Sequence, residues 1–246
     1  MSYGYRVQNE YTSFPFLTRI AGTYSFLITC GIVFGKISPN SLTYDEDAIA
    51  AGEWWRYLTA HLFFGMHQAR FGAIVRYIIV AINFLRYFYY MENYFFFRRK
   101  FQFVTMIVVF LGAANAFASF NAVVGFYGDV LRMAIITAWS QIYYQDKFSV
   151  VAGLNLTRFN ATKLPFVWLA FFSFIDYPLS IAPISPVPHM LFGIVVGYLY
   201  SFAAFRFGLV PQELTRRREP IIHELIHPGE MFVYIVISIL QGGKMV

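Results

Sequence analysis

Cysteine is all but missing here: Cys30 stands alone inside an apolar segment, so no internal disulfide can form. Charge is scarce as well. Asp, Glu, Lys and Arg together make 13% of the 246 residues, where soluble globular domains carry roughly 25%, and that excludes an ordinary solvated surface. A cleavable leader is not expected, because MSYGYRVQNEYTSFPFLTR lacks a short apolar core with a small-residue cleavage site and carries Glu10. The first apolar segment should then direct insertion. The sequence has no internal repeat or low-complexity tract, and nothing in it calls for a cofactor.

What it has instead is apolar bulk, 58% hydrophobic and 21% aromatic residues. A bilayer-spanning helix needs about 20 apolar residues, and hydropathy predicts six such spans, over 20–35, 71–90, 101–120, 122–144, 164–181 and 187–207. The expected fold is an all-α polytopic membrane protein, a six-helix bundle with a long interfacial loop between helices 1 and 2. Residues 1–210 would form this membrane domain, and 211–246 a basic linker with a short amphipathic segment. The fourth span contains Gly128, Asp129 and Arg132. Charges facing lipid are costly, so this span should turn them toward other helices or a wet cavity. Spaced three apart, Asp129 and Arg132 can pair along one helix face, and a structural ion pair buried between helices is the plainer alternative to a cavity lining.

The net charge of +6, from 19 basic and 13 acidic residues, reads as a topology signal, and no nucleic-acid partner is expected. Six spans put both termini on one side. Arg6, Arg19, Arg98, Arg99, Lys100, Lys147, Arg158, Lys163, Arg206 and Arg216 to Arg218 flank that side, against Lys36, Arg56 and Arg70 on the other. Both termini are thus expected in the cytosol or its equivalent. Two glycosylation sequons, at Asn155 and Asn160, fall in a loop assigned to that side, and sugar on either would overturn the topology.

The opposite side receives the long segment 36–70, which holds GEWWRYLTAHLFFG. Trp54, Trp55, Tyr57, Leu62, Phe63 and Phe64 are too apolar for a free loop and too short a run to cross, so an interfacial or re-entrant segment is expected. In it Arg56 would hold loop carbonyls while the tryptophans sit at headgroup depth.

Trp55, Arg56 and Thr59, as Trp-Arg-x-x-Thr in a long first loop, resemble the rhomboid superfamily, and three further stretches sharpen the resemblance to Derlins. NEYTSFPFLTR, with Pro15, Thr18 and Arg19, is similar to the Derlin N-terminal stretch. LRYFYYMENYFFFRRKF, with Glu92, resembles the segment closing the second span, and FGIVVGYLYSF resembles the sixth, with Gly193 and Gly197 spaced for close helix approach. Rhomboid proteases pair a serine on the fourth helix with a histidine on the sixth, since a hydroxyl needs a base to become a nucleophile. Counting back from Trp139 and from the glycine pair, the matching positions are Gly128 and Met190. Ser119, Ser140 and Ser201 are read as bonded to backbone carbonyls, and His189 should point away from the Met190 face.

The resemblance therefore implies a pseudoprotease without catalytic residues. It also implies a role in retrotranslocating misfolded proteins from the endoplasmic reticulum, beside a ubiquitin ligase complex and an AAA unfoldase. The sequence departs from Derlins in its tail: residues 208–246 carry no glycine-rich unfoldase motif, and 231–240 suits an interface or a partner. That favours an alternative, an accessory subunit held among lipids and other membrane proteins in a hetero-oligomeric complex, mitochondrial inner membrane included. A remote alternative rests on His223, Glu224 and His227, a match to the zinc-peptidase signature His-Glu-x-x-His. Pro228 disfavours helix at His227 and no downstream histidine completes the ligand set, so a short amphipathic helix is the plainer reading.

Overall fold

A computed structural model describes residues 14–62, 71–97, 99–121, 125–144, 147–149, 158–179 and 187–207. The described residues are mostly helical. Helix α1 spans Phe16–Val33, α2 Glu46–Ala50, α3 Arg56–Leu62, α4 Phe71–Tyr90, α5 Lys100–Asn121, α6 Gly128–Ile142, α7 Leu164–Leu179 and α8 Val187–Arg206. The long helices match the predicted spans except at the fourth, which begins six residues later than expected, at Gly128. A small antiparallel hairpin, β1 Lys147–Ser149 with β2 Arg158–Asn160, adds a feature not expected from sequence. Asn160 ends it, exposed, and Asn155 lies outside the described residues.

Local chemistry sets these boundaries. Asp45 caps α2, its carboxylate accepting from the amides of Asp47 and Ala48. Gly52, at φ +105°, then turns the chain with a conformation L side chains rarely adopt. Helix α1 starts after Pro15, whose side chain cannot cap. Its missing cap comes from α4, which continues into a π-helical turn, Met91–Phe95, that carries Glu92 across to α1.

The core is α6. Of its residues only Asp129 and Gln141 are not buried, as befits a helix packed on every side. Helix α8 runs parallel beside it. A Cβ on Gly193 would stand 2.5 Å from the Val130 carbonyl oxygen, and one on Gly197 2.6 Å from that of Ala134. Only glycine lets the two backbones approach so closely.

The surface inverts a soluble pattern. Phe101, Val108 and Phe120 on α5, and Leu191, Val195, Leu199 and Phe202 on α8, are exposed. Helices α1, α5 and α8 are long and apolar enough to cross a membrane. These helices fit an integral membrane protein.

Candidate functional site

Helix α6 opens with Gly128, and a buried charge cluster surrounds its first turn. Arg132 Nη2 lies 2.7 Å from Asp129 Oδ1, and Arg76 Nη2 on α4 donates to Asp129 Oδ2 at 3.2 Å. Arg132 has no exposed surface, and the Asp129 side chain is 13% exposed. Its guanidinium stacks 4.0 Å from the centroid of Phe172 on α7, and Nη2 approaches Met190 Sδ at 3.8 Å. Long helical side chains lean toward their helix N-terminus, which carries Arg132 back to the level of Gly128. Asp129 and Arg132 pair along the first turn of α6. The pair is in fact a triad.

Arg76 was missed in the sequence. An arginine six residues into an apolar run was itself the signal, since a charge inside a span must find a partner. An Arg–Asp–Arg arrangement lets one carboxylate answer two cations from different helices, tying α4 to α6, while Phe172 offers both guanidinium groups a ring face, Arg76 at 6.0 Å.

Met190 is fully buried in the α6/α8 seam. Its neighbour His189 faces elsewhere, its ring 4.9 Å from that of Tyr127 and 5.6 Å from that of Phe117. Gly128 offers no side chain, and the Met190 thioether is no base. The serines divide. Ser140 and Ser201 donate to the carbonyls of Thr137 and Gly197, but Ser119 donates to the Glu46 carboxylate, because the loop segment folds back onto α5 and brings an acceptor stronger than a carbonyl.

The loop between α1 and α4 is fastened by its own residues. Arg56 is buried, and Nη1 donates to the carbonyls of Asn40 and Thr43, each at 2.8 Å. Its Nε donates to Glu53 Oε2 at 2.6 Å. Thr59 Oγ1 donates to the Leu42 carbonyl at 3.1 Å. Trp55 Nε1 reaches the Ser41 carbonyl at 3.5 Å, and Trp54 stays 73% exposed. Backbone bonds pin this loop to the approach of α6: Tyr44 with Gly125, and the Tyr127 amide to the Ala60 carbonyl at 2.9 Å.

Glu92 makes the α1 cap with both oxygens. It accepts from the amides of Leu17 at 3.0 Å and Thr18 at 2.7 Å, and from the Thr18 hydroxyl at 2.7 Å. An acidic residue at a helix N-terminus also answers the helix dipole. Sequence marked Glu92 and Thr18 separately, and only the packing joins them. Arg19 is half-buried one residue further on, its amide donating to the Pro15 carbonyl. His223, Glu224 and His227 lie outside the described residues.

Helices α5 and α7 pack on both α6 and α8, α4 packs on α6, α1 lies against α4, and a clamped loop covers the start of α6; a model of the Der1-like family matches residues 14–215. The chain belongs to the Der1-like family. The match covers every helix described above, from the Phe14 that precedes α1 to beyond α8. Der1-like proteins are rhomboid-like pseudoproteases, generally non-catalytic, and the chain is a Derlin by this assignment. No curated protein matches the chain.

Proposed function

We propose that this Der1-like protein is non-catalytic and holds or guides polypeptide segments at a membrane, as in the retrotranslocation of misfolded proteins from the endoplasmic reticulum. One observation carries the reading. Met190, matched by resemblance to the rhomboid base, sets its thioether 3.8 Å from Arg132 Nη2 beside Phe172, and Gly128, matched to the nucleophile, carries no side chain. A hydroxyl nucleophile needs an adjacent base, and the α6/α8 seam holds a cation in its place.

In this reading all six long helices cross, with both termini on the cytosolic side. Helix α6 has 15 residues between described caps, a length of roughly 22 Å against a hydrocarbon core of about 30 Å. A membrane domain built round a short central helix favours a thinner bilayer at its lipid-facing rim. A thinner bilayer lowers the barrier to moving polar chain across, which is the physical basis of the guiding role. Arg56 braces the loop on the far side and keeps its exposed tryptophans at headgroup depth.

The test is purification of the tagged full chain from a gentle detergent, with mass spectrometry of what accompanies it. Recovery of a ubiquitin ligase complex and an AAA unfoldase is expected. Fixed-stoichiometry recovery of an unrelated set of membrane proteins, without either, would replace this reading with the accessory-subunit one. Labelling of the chain by a serine-directed activity probe would end both.

A further inference from the structure

Helix α3 carries a histidine with no exposed surface, His61. Its Nε2 lies 2.9 Å from Asn115 Oδ1 on α5. The Asn115 amide nitrogen donates to the carbonyls of Tyr57 and Leu111, at 3.2 and 2.9 Å. Oδ1 is therefore the acceptor, so Nε2 carries the hydrogen and Nδ1 keeps the lone pair. Nδ1 is buried and has no hydrogen-bond partner among the described residues. A proton arriving there would place a cation in a desolvated site where, among the described residues, the Tyr127 backbone offers only partial relief, a state that burial penalises.

The surroundings offer little relief. From the approach to α6 comes the Tyr127 ring, at 6.2 Å between centroids. His189 of α8 lies on Tyr127 as well, and Tyr44 packs on it from the loop, beside Tyr57. Glu46 is engaged with Ser119 and Tyr44, and Asp129 with Arg132 and Arg76. No carboxylate is hydrogen-bonded to the His61 ring among the described residues.

We propose that His61 is an acid-sensitive latch: neutral, it seats α3 and its loop against α5 and the start of α6, and when Nδ1 takes a proton from solvent the loop is released. The ties that would part together are those from Asn115 to His61 and Tyr57, and from Tyr127 to Ala60. Burial already holds the His61 pKa below the ordinary histidine range, with the Asn115 bond and the Tyr127 backbone opposing in part. The released ring titrates near the ordinary value of about 6.5. Because the seated pKa is the lower one, seating is fully present above about pH 6.5 and is lost as pH falls toward the seated value. This extends beyond the proposed handling of membrane segments and does not depend on it.

The experiment is hydrogen exchange on the full chain in nanodiscs, reading the backbone amides of α3 and correcting for the intrinsic pH dependence of exchange. One proton linked to release predicts a roughly tenfold rise in the corrected opening of α3 between pH 7.5 and 5.5. His61→Gln should abolish the rise, since an amide can donate to Asn115 but does not titrate, whereas His189→Gln should leave it intact. A flat profile in the unaltered protein overturns the proposal, and so does a rise that survives His61→Gln or vanishes with His189→Gln. Should His61→Gln fail to fold, the unaltered profile and His189→Gln still decide: a tenfold rise kept in His189→Gln supports the latch.

Discussion

Replacing Gly193 with alanine tests how the buried seam is built. The new Cβ would meet the Val130 carbonyl oxygen at 2.5 Å and the Met133 Cβ at 2.9 Å. Carbon to carbonyl-oxygen contacts settle at about 3.3–3.6 Å, so α8 must retreat from α6 by roughly 0.8 to 1.1 Å at this level. The obstacle is backbone within a helix that is itself packed on all sides, and it cannot rotate away as a side chain would. Overpacking of this kind costs about 1–3 kcal/mol, and alanine returns at most about 1 kcal/mol through its helix propensity. A retreat would also loosen Gly197, whose own Cβ position is 2.6 Å from the Ala134 carbonyl oxygen, and draw Met190 from Arg132. The net expectation is a loss of about 1–2 kcal/mol, seen as a midpoint lower by roughly 2–8 °C in thermal unfolding of detergent-solubilised protein. Gly112 on α5 supplies the control, because a Cβ there meets nothing within 4 Å. Gly112→Ala should be neutral or stabilising by up to about 1 kcal/mol. If Gly193→Ala proves as stable as the parent, or both variants shift together, the close approach of α6 and α8 does not limit stability and the reasoning fails.

Three other outcomes are expected. Asp129→Asn strips the triad of its anion and removes one ion pair from each of Arg76 and Arg132, which should lower thermal stability by about 3 kcal/mol, and an unchanged yield and thermal midpoint would show that other groups carry the balance. Glu92→Ala removes the cap on α1 and should cost about 1–3 kcal/mol, with faster hydrogen exchange confined to the first turn of α1; exchange that rises everywhere instead would point to a wider packing role. Arg56→Ala deletes the bonds to the Asn40 and Thr43 carbonyls and should lower thermal stability by about 2 kcal/mol, so an unchanged midpoint counts against the bracing role.

Composition and periodicity by themselves determined that this chain is helical and built for lipid, because runs of about 20 apolar residues have no other stable use. They also located the long helices to within a few residues at most ends. At the fourth the forecast ran long. Apolarity continues upstream of Gly128, but Tyr44 and Ala60 take up the Gly125 and Tyr127 backbone in bonds to the loop, and a helix cannot claim groups already paired elsewhere. Motif spacing marked Gly193 and Gly197 as a close-approach face, and Asp129 with Arg132 as neighbours on one helix turn, since both relations are local.

What only the tertiary structure decided are the partnerships between residues far apart in the chain. Glu92 finds Thr18 across the 74 positions separating them, Arg76 finds Asp129 across 53, and His61 finds Asn115 across 54. No local pattern encodes such meetings. A span's charges reveal that they need a partner, because burial of an unpaired charge is too costly to persist, but the helix that supplies it is chosen by how the whole bundle packs.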